Sequence, residues 1–181
     1  MQSRLFTIVS ILVFLSGCAS TPAGFSNAAP GVDFSSYRTF GFLENMATDR
    51  GNYESLETSY LKVAVSQALS EHGMEYSSEP DLLVNFYIHT ADKIRTRTVP
   101  TASAYYGWRD PFYDPWYGYG GYETRVDQYT EGTLNIDIVD AKANQLVWEG
   151  SISGRITDKD IRNMEQTIDG AVAVVMANFP N

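Results

Sequence analysis

The sequence predicts an α+β fold: a two-layer sandwich in which an antiparallel sheet of about four strands carries two helices on one face, in the order β-α-β-β-β-α. Two observations carry that reading. Residues 82–89 alternate, with Leu82, Val84, Phe86 and Ile88 on one side of the pleat and Leu83, Asn85, Tyr87 and His89 on the other, as in a half-buried strand. Residues 53–72 and 158–179 instead repeat apolar positions at helical spacing, which marks amphipathic helices with one stripe to bury. A half-apolar sheet and two one-sided helices satisfy each other as packed layers.

In chain order, residues 36–43 form the first strand, with Tyr37, Thr39, Phe40 and Phe42 as β-formers. The helix over 53–72 turns Leu61, Ala64, Val65, Ala68 and Leu69 inward. Asn52 is placed to cap it, Glu54 and Glu57 suit its positive end, and Gly73 stops it after His72. The strand opening at Pro80 and Asp81 runs on toward Val99, where Lys93, Arg95 and Arg97 share one face. Residues 100–122 are dense in Tyr, Trp, Gly, Pro and Asp. Their Asp-Pro and Gly-Gly steps predict an extended loop at the tip of a long hairpin. Residues 125–140 return with Leu134, Ile136 and Ile138 inward. After a turn, 146–156 come back with Leu146, Trp148, Ile152 and Ile156 as core contacts. Gly150 and Gly154 permit a bulge or a close crossing. The last helix, 158–179, opens on Thr157 and Asp160 as an approximate capping box and buries Ile161, Met164, Ile168, Ala171, Val172 and Val175.

The first eighteen residues are of another kind. One charge at Arg4, a short apolar run over 5–15 and small residues at Ser16 and Gly17 give the order of a signal peptide. The apolar run is shorter than the roughly 20 residues a membrane-spanning helix needs. The run Leu15-Ser16-Gly17-Cys18 resembles the lipobox of bacterial lipoproteins. That resemblance implies cleavage before Cys18, diacylglycerol on its thiol and an acylated amine. Stable anchoring takes two acyl chains, and such a cysteine carries three. Ala19 stands where an aspartate commonly retains such proteins in the inner membrane, so the resemblance points to the outer membrane, facing the periplasm. The expected organisation is a signal peptide at 1–17, the lipidated cysteine and a flexible tether at 18–31, and one domain at 32–181.

Three segments of that domain ring together: Asp33-Phe-Ser-Ser-Tyr-Arg-Thr-Phe40, Glu79-Pro-Asp-Leu-Leu-Val-Asn-Phe86, and the long run from Tyr129 through Leu134, Asp137, Asp140 and Trp148 to Gly150. With the lipobox and the closing Phe179-Pro180, they resemble the DUF4136 family of bacterial lipoproteins. The resemblance implies an envelope lipoprotein with an α+β domain and no established activity. It offers no catalytic residues.

Composition narrows the chemistry. The formal charge is −9 and Cys18 is the only cysteine. The acidic balance argues against nucleic acid and against electrostatic adhesion to anionic lipid. A lipidated Cys18 leaves no thiol for a disulfide or a zinc site. His72 and His89 lie far apart and are explained by a helix end and a strand end, so no metal is expected. Asp137, Asp140 and Glu149 sit on or near one hairpin, where paired carboxylates can do acid/base work if burial raises one pKa. Turn and cross-strand roles account for them as well. The Lys93, Arg95 and Arg97 face reads as a solvated strand face that discourages edge pairing. The aromatic loop offers Tyr105, Tyr106, Trp108, Phe112, Tyr113, Trp116, Tyr117, Tyr119 and Tyr122 as rigid contact surface for a partner. The expected function is a non-enzymatic interaction or envelope-maintenance module without cofactor, held to the membrane through Cys18, with an envelope protein or glycan as partner. The rival is an envelope hydrolase or small-ligand-binding protein using acidic residues of the 134–149 hairpin.

Overall fold

The computed structural model describes residues 24–51, 53–100 and 122–180. Its strands are β1 (Phe25–Ala28), β2 (Thr39–Phe42), β3 (Glu75–Tyr76), β4 (Leu82–Pro100), β5 (Tyr122–Asp140) and β6 (Gln145–Ile156). Its α-helices are α1 (Leu56–Glu71), α2 (Asp158–Arg162) and α3 (Met164–Met176), with a short 3-10 turn at Phe34–Ser36. The strands form one sheet in the order β1-β6-β5-β4-β2-β3.

The α+β class holds, but the sheet has six strands rather than about four, and it is mixed. β2 runs parallel to both β3 and β4. Parallel neighbours need a crossover, and the path β2–α1–β4 supplies it. β1 lies inside the segment read as tether. It pairs antiparallel with β6 from Phe25 opposite Ser151 to Ala28 opposite Trp148, so the sheet starts before residue 32. Four residues whose one aromatic, Phe25, stands first carry no legible period, and their strand state is conferred by the edge of β6.

The helix ends follow side-chain chemistry. α1 starts at Leu56 because the Ser55 side chain accepts the Thr58 N–H at 3.0 Å; the expected cap, Asn52, lies outside the described residues. Gly73, at φ +81°, ends it as expected. Thr157 and Asp160 form both halves of the capping box. The helix they open is not continuous to 179. Asn163 leaves the helical region at φ −117° and ψ 46° and divides it into α2 and α3. Ile161, placed in the stripe by periodicity, is therefore 59% exposed.

α1 and α3 cover one sheet face. Leu61, Val65 and Leu69 of α1 and Val172, Val175 and Met176 of α3 bury against Phe40, Leu82, Val84, Phe86, Ile136, Ile138 and Trp148. At Ile138/Val139 the register with β6 slips, so Val147 and Trp148 together oppose the step between them. The bulge puts both adjacent residues inside and turns Leu146 out to 47% exposure. Leu146 was expected in the core, and simple alternation fails there for that reason. Trp148 edges against the Phe179 ring at 5.3 Å and lies over Gly150, where a Cβ would also stand 2.5 Å from Val175 Cγ1. Gly150 is thus the close crossing of sheet and helix.

Trp148→Ala is expected to destabilise the fold by about 3–5 kcal/mol, the usual cost of truncating a buried Trp. Equilibrium denaturation with urea measures it. An unchanged midpoint would contradict the packing around Gly150 and Phe179.

Candidate functional site

β4 and β5 pair without interruption from Leu82 opposite Asp140 to Pro100 opposite Tyr122. β6 leaves β5 at Thr130 and β2 leaves β4 at Val84. The outer part of the hairpin is therefore a two-stranded ribbon that projects past its neighbours. Residues 101–121 join its two ends. Tyr105, Tyr106, Trp108, Phe112, Tyr113, Trp116, Tyr117 and Tyr119 lie outside the described residues, as does Cys18. Tyr122 closes the last rung and is 75% exposed.

Alternation sorts the ribbon's side chains. Lys93, Arg95, Arg97 and Arg125 fall on the face opposite the core side, together with Asp127, Tyr129 and Glu131. The shared face expected for the three β4 cations is present. Arg155 joins them from β6 and stands over the Tyr129 ring at 5.3 Å. Arg95, Arg97, Asp127, Tyr129, Glu131 and Arg155 line a depression of about 370 Å³.

Nearer the body, the same uncovered face holds a polar rung. Asn27 opposes Glu149, Glu149 opposes Asp137, and Asp137 opposes Asn85. Asn27 Nδ2 donates to Glu149 Oε1 at 3.4 Å. The Asn85 Oδ1 is buried without a hydrogen-bond partner. Burial first, and the facing Glu149 carboxylate second, hold the Asp137 carboxyl above the usual carboxylate range. This is the one acidic pair of the hairpin that the fold brings together.

Asp140 does not join it. Its Oδ1 accepts the Lys142 and Ala143 N–H groups at 2.8 and 2.7 Å, and its Oδ2 accepts the Tyr37 hydroxyl at 2.9 Å. These bonds, the Ala143 N–H first, lower its pKa. Beside it, Asp81 Oδ2 accepts the Arg38 N–H, the Thr39 N–H and the Thr39 hydroxyl at 3.1, 3.2 and 3.1 Å. Lys142 Nζ lies 3.4 Å from Asp81 Oδ1. The Arg38 N–H is the first cause of the lowered Asp81 pKa. Tyr37, Thr39, Asp81 and Asp140 thus form a hydrogen-bonded clasp where the β2, β4 and β5 ends meet. Sequence reasoning quoted these residues in motifs without assigning the clasp, whose signal was the polar positions shared by two distant segments.

His72 ends α1 and edges the Phe179 ring at 5.4 Å. His89 is exposed on β4 opposite Thr133. The two belong to different elements. Among the described residues no three His, Cys, Asp or Glu side chains gather as metal ligands, and no helix is long and apolar enough to cross a membrane.

The raised Asp137 pKa has a definite sign. Between the unfolded and folded pKa values the native state holds the extra proton, so this carboxyl loses stability for the fold as pH rises through that window. Asp81 and Asp140, with lowered values, act oppositely: their contribution is present above the unfolded pKa and is lost as pH falls through the folded one. Asp137→Asn is expected to raise the melting temperature at neutral pH. The gain should vanish in acid, where Asp137 is protonated in both states. A melting curve series across pH measures it, and a lower melting temperature at neutral pH would contradict the assignment.

Comparison with known proteins bears on the fold. A PDZ domain protein from Parabacteroides distasonis ATCC 8503 is similar in structure at TM-score 0.55 and 15% identity, over 88% of this chain and 36% of that one. The chain thus spans about a third of that protein's length, and the likeness concerns the fold. The PelC dodecamer from Paraburkholderia phytofirmans matches at TM-score 0.47 and 9% identity, over 87% of this chain and 96% of that one. A putative neuraminyllactose-binding hemagglutinin homolog from Helicobacter pylori matches at TM-score 0.42 and 13% identity, over 80% of this chain and 87% of that one. No curated protein matches the sequence significantly. The family described as "Domain of unknown function (DUF4136)" matches residues 25–181, from the first residue of β1 through the closing helix, and the chain belongs to that family.

Proposed function

We propose that this chain is a lipid-anchored envelope protein, held through Cys18 to the outer membrane on its periplasmic side, and that it works as a non-enzymatic interaction or envelope-maintenance module. The observation that carries the anchor is the lipobox-like run ending in the only cysteine of the chain. Three acyl chains exceed the two that stable anchoring needs. The interaction role is supported by the hairpin. Two strands of 19 residues each lead away from the core to the segment in which the aromatic residues are concentrated. Rigid aromatic rings bury area at low entropic cost, so a segment so composed and so displayed suits an envelope protein or a glycan.

A second reading rests on one observation. Asp137, with its raised pKa, faces Glu149 on an uncovered sheet face beside the unpartnered Asn85 Oδ1. Such a pair suits acid/base chemistry or a small polar ligand. A protein–protein role is preferred because the rung is flat and lies on one side of the sheet, whereas ligand pockets enclose most of their ligand.

Two experiments test the proposal. Cys18→Ser removes the thiol that takes the acyl chains, so palmitate labelling should fall to background. Equal labelling in the variant would refute the anchor. Replacing 105–121 with a short Gly/Asn turn should leave the circular dichroism spectrum and cooperative unfolding unchanged, because the covered sheet face is complete without it and loop length costs little closure entropy. Recovery of partners from membranes should fall severalfold. Full recovery would make the segment a spacer and return attention to the Asp137 rung.

A further inference from the structure

We propose that the basic face of the β4–β5 ribbon lies against the anionic headgroups of the bilayer that holds Cys18. The proposal rests on the lipid-anchor reading above and adds an orientation and a second membrane contact to it.

The first argument is reach. β5 runs from the ribbon end toward the body, β6 runs back, and β1 runs against β6. Phe25 is therefore the end of β1 nearer the ribbon. Cys18 lies seven residues before Phe25, and an extended chain covers at most about 25 Å over that length. Phe25 stands opposite Ser151, which stands opposite Asn135, thirteen rungs from Tyr122. At about 3.3 Å per residue the ribbon extends about 43 Å past the Phe25 rung. The projecting strands are longer than the arm that fastens the domain. An arm that short holds the Phe25 rung, at the base of the ribbon, within about 25 Å of the bilayer surface.

The second argument is charge. The chain is acidic, at −9 overall, yet Lys93, Arg95, Arg97 and Arg125 crowd one ribbon face, with Arg155 beside them. They stand against Glu123, Asp127 and Glu131. Lys93 reaches Glu131 at 3.6 Å and Arg125 reaches Glu123 at 3.5 Å, both as exposed pairs that contribute little. Among the described residues Arg95 and Arg97 make no ion pair. Net acidity suggested that the protein would not adhere to anionic lipid. That holds for the sum, but the Debye length near 8 Å at physiological salt makes a surface respond to its local charge. Polybasic segments beside an anchor are drawn to anionic leaflets. The far face of the ribbon carries Ile94, Thr96, Val126 and Tyr122, all uncharged, so the cations are gathered on one side.

The test uses the acylated protein reconstituted into vesicles. With Cys18 occupied by lipid, Val99→Cys on the basic face of the ribbon and Ala143→Cys in the turn at the other end of the sheet each give one labelling site for a fluorophore. The vesicles are phosphatidylcholine with or without phosphatidylglycerol, and a headgroup spin label is the quencher. Quenching at Val99→Cys should exceed that at Ala143→Cys by about threefold in the anionic vesicles. It should fall to the Ala143→Cys level without phosphatidylglycerol, in high salt, or when Arg95→Glu and Arg97→Glu are added. Equal quenching at both sites, or Val99→Cys quenching indifferent to phosphatidylglycerol, would overturn the proposal using the native ribbon alone, whatever the charge-reversed variant does. Failure of the anchor is read separately and first: an unacylated Cys18 takes up label in the parent protein, and the protein fails to float with the vesicles.

Discussion

The governing constraint is a mismatch of lengths. α1, with 16 residues, is about 24 Å long, whereas β4, with 19, is about 63 Å. Helices of that length roof only the inner part of the hairpin. Beneath the roof, Leu82, Val84 and Phe86 are fully buried against Ile136 and Ile138. Beyond it, at the same alternation, Ile94 and Val126 are open to solvent. One pair of strands thus serves first as core and then as projection. The pairing does not change along its length. What changes is the cover, and with it the charge: apolar side chains dominate the roofed rungs, while Thr and Arg predominate outside.

Much of the roofed part was legible because its rules are local. The alternation over 82–88, the stripe of Leu61, Ala64, Val65 and Leu69, the left-handed Gly73 and the Thr157/Asp160 box each depend on a few neighbouring residues. What was not legible depends on partners distant in sequence. β1 is a strand only because β6 has a free edge. β2 is parallel to β4 because α1 crosses between them, and the Asp81 carboxylate then fastens the two strand starts together. The bulge at Val147 cannot be read from Leu146-Val147-Trp148, since any of these side chains suits the interior. Trp148 above Gly150 decides which ones enter.

The acidic candidates divide for the same reason. Asp137 and Asp140 are three apart, so in a strand they point to opposite sides. That much was readable. The meeting of Asp137 with Glu149 depends on register, which the bulge offsets, and so does the arrival of Asn85 on the third strand. The ribbon cations needed no register, since Lys93, Arg95 and Arg97 are spaced by two on one strand. Arg125, Tyr129 and Arg155 came to their face only through pairing.

β1 also has a mechanical consequence. It is joined to β6 along its whole length, with Phe25 opposite Ser151 and Ala28 opposite Trp148. Consider a force applied at Phe25 along the axis of this four-residue strand. Loaded this way, the ladder bonds share the force and fail together, rather than opening one by one as they do when a strand is peeled sideways. The strand meets the sheet beside Trp148 and Gly150, where sheet and helix cross closely. Such a load enters the sheet at β6, with β5 between it and β4, so it is not applied directly to the clasp residues at the β2 and β4 ends.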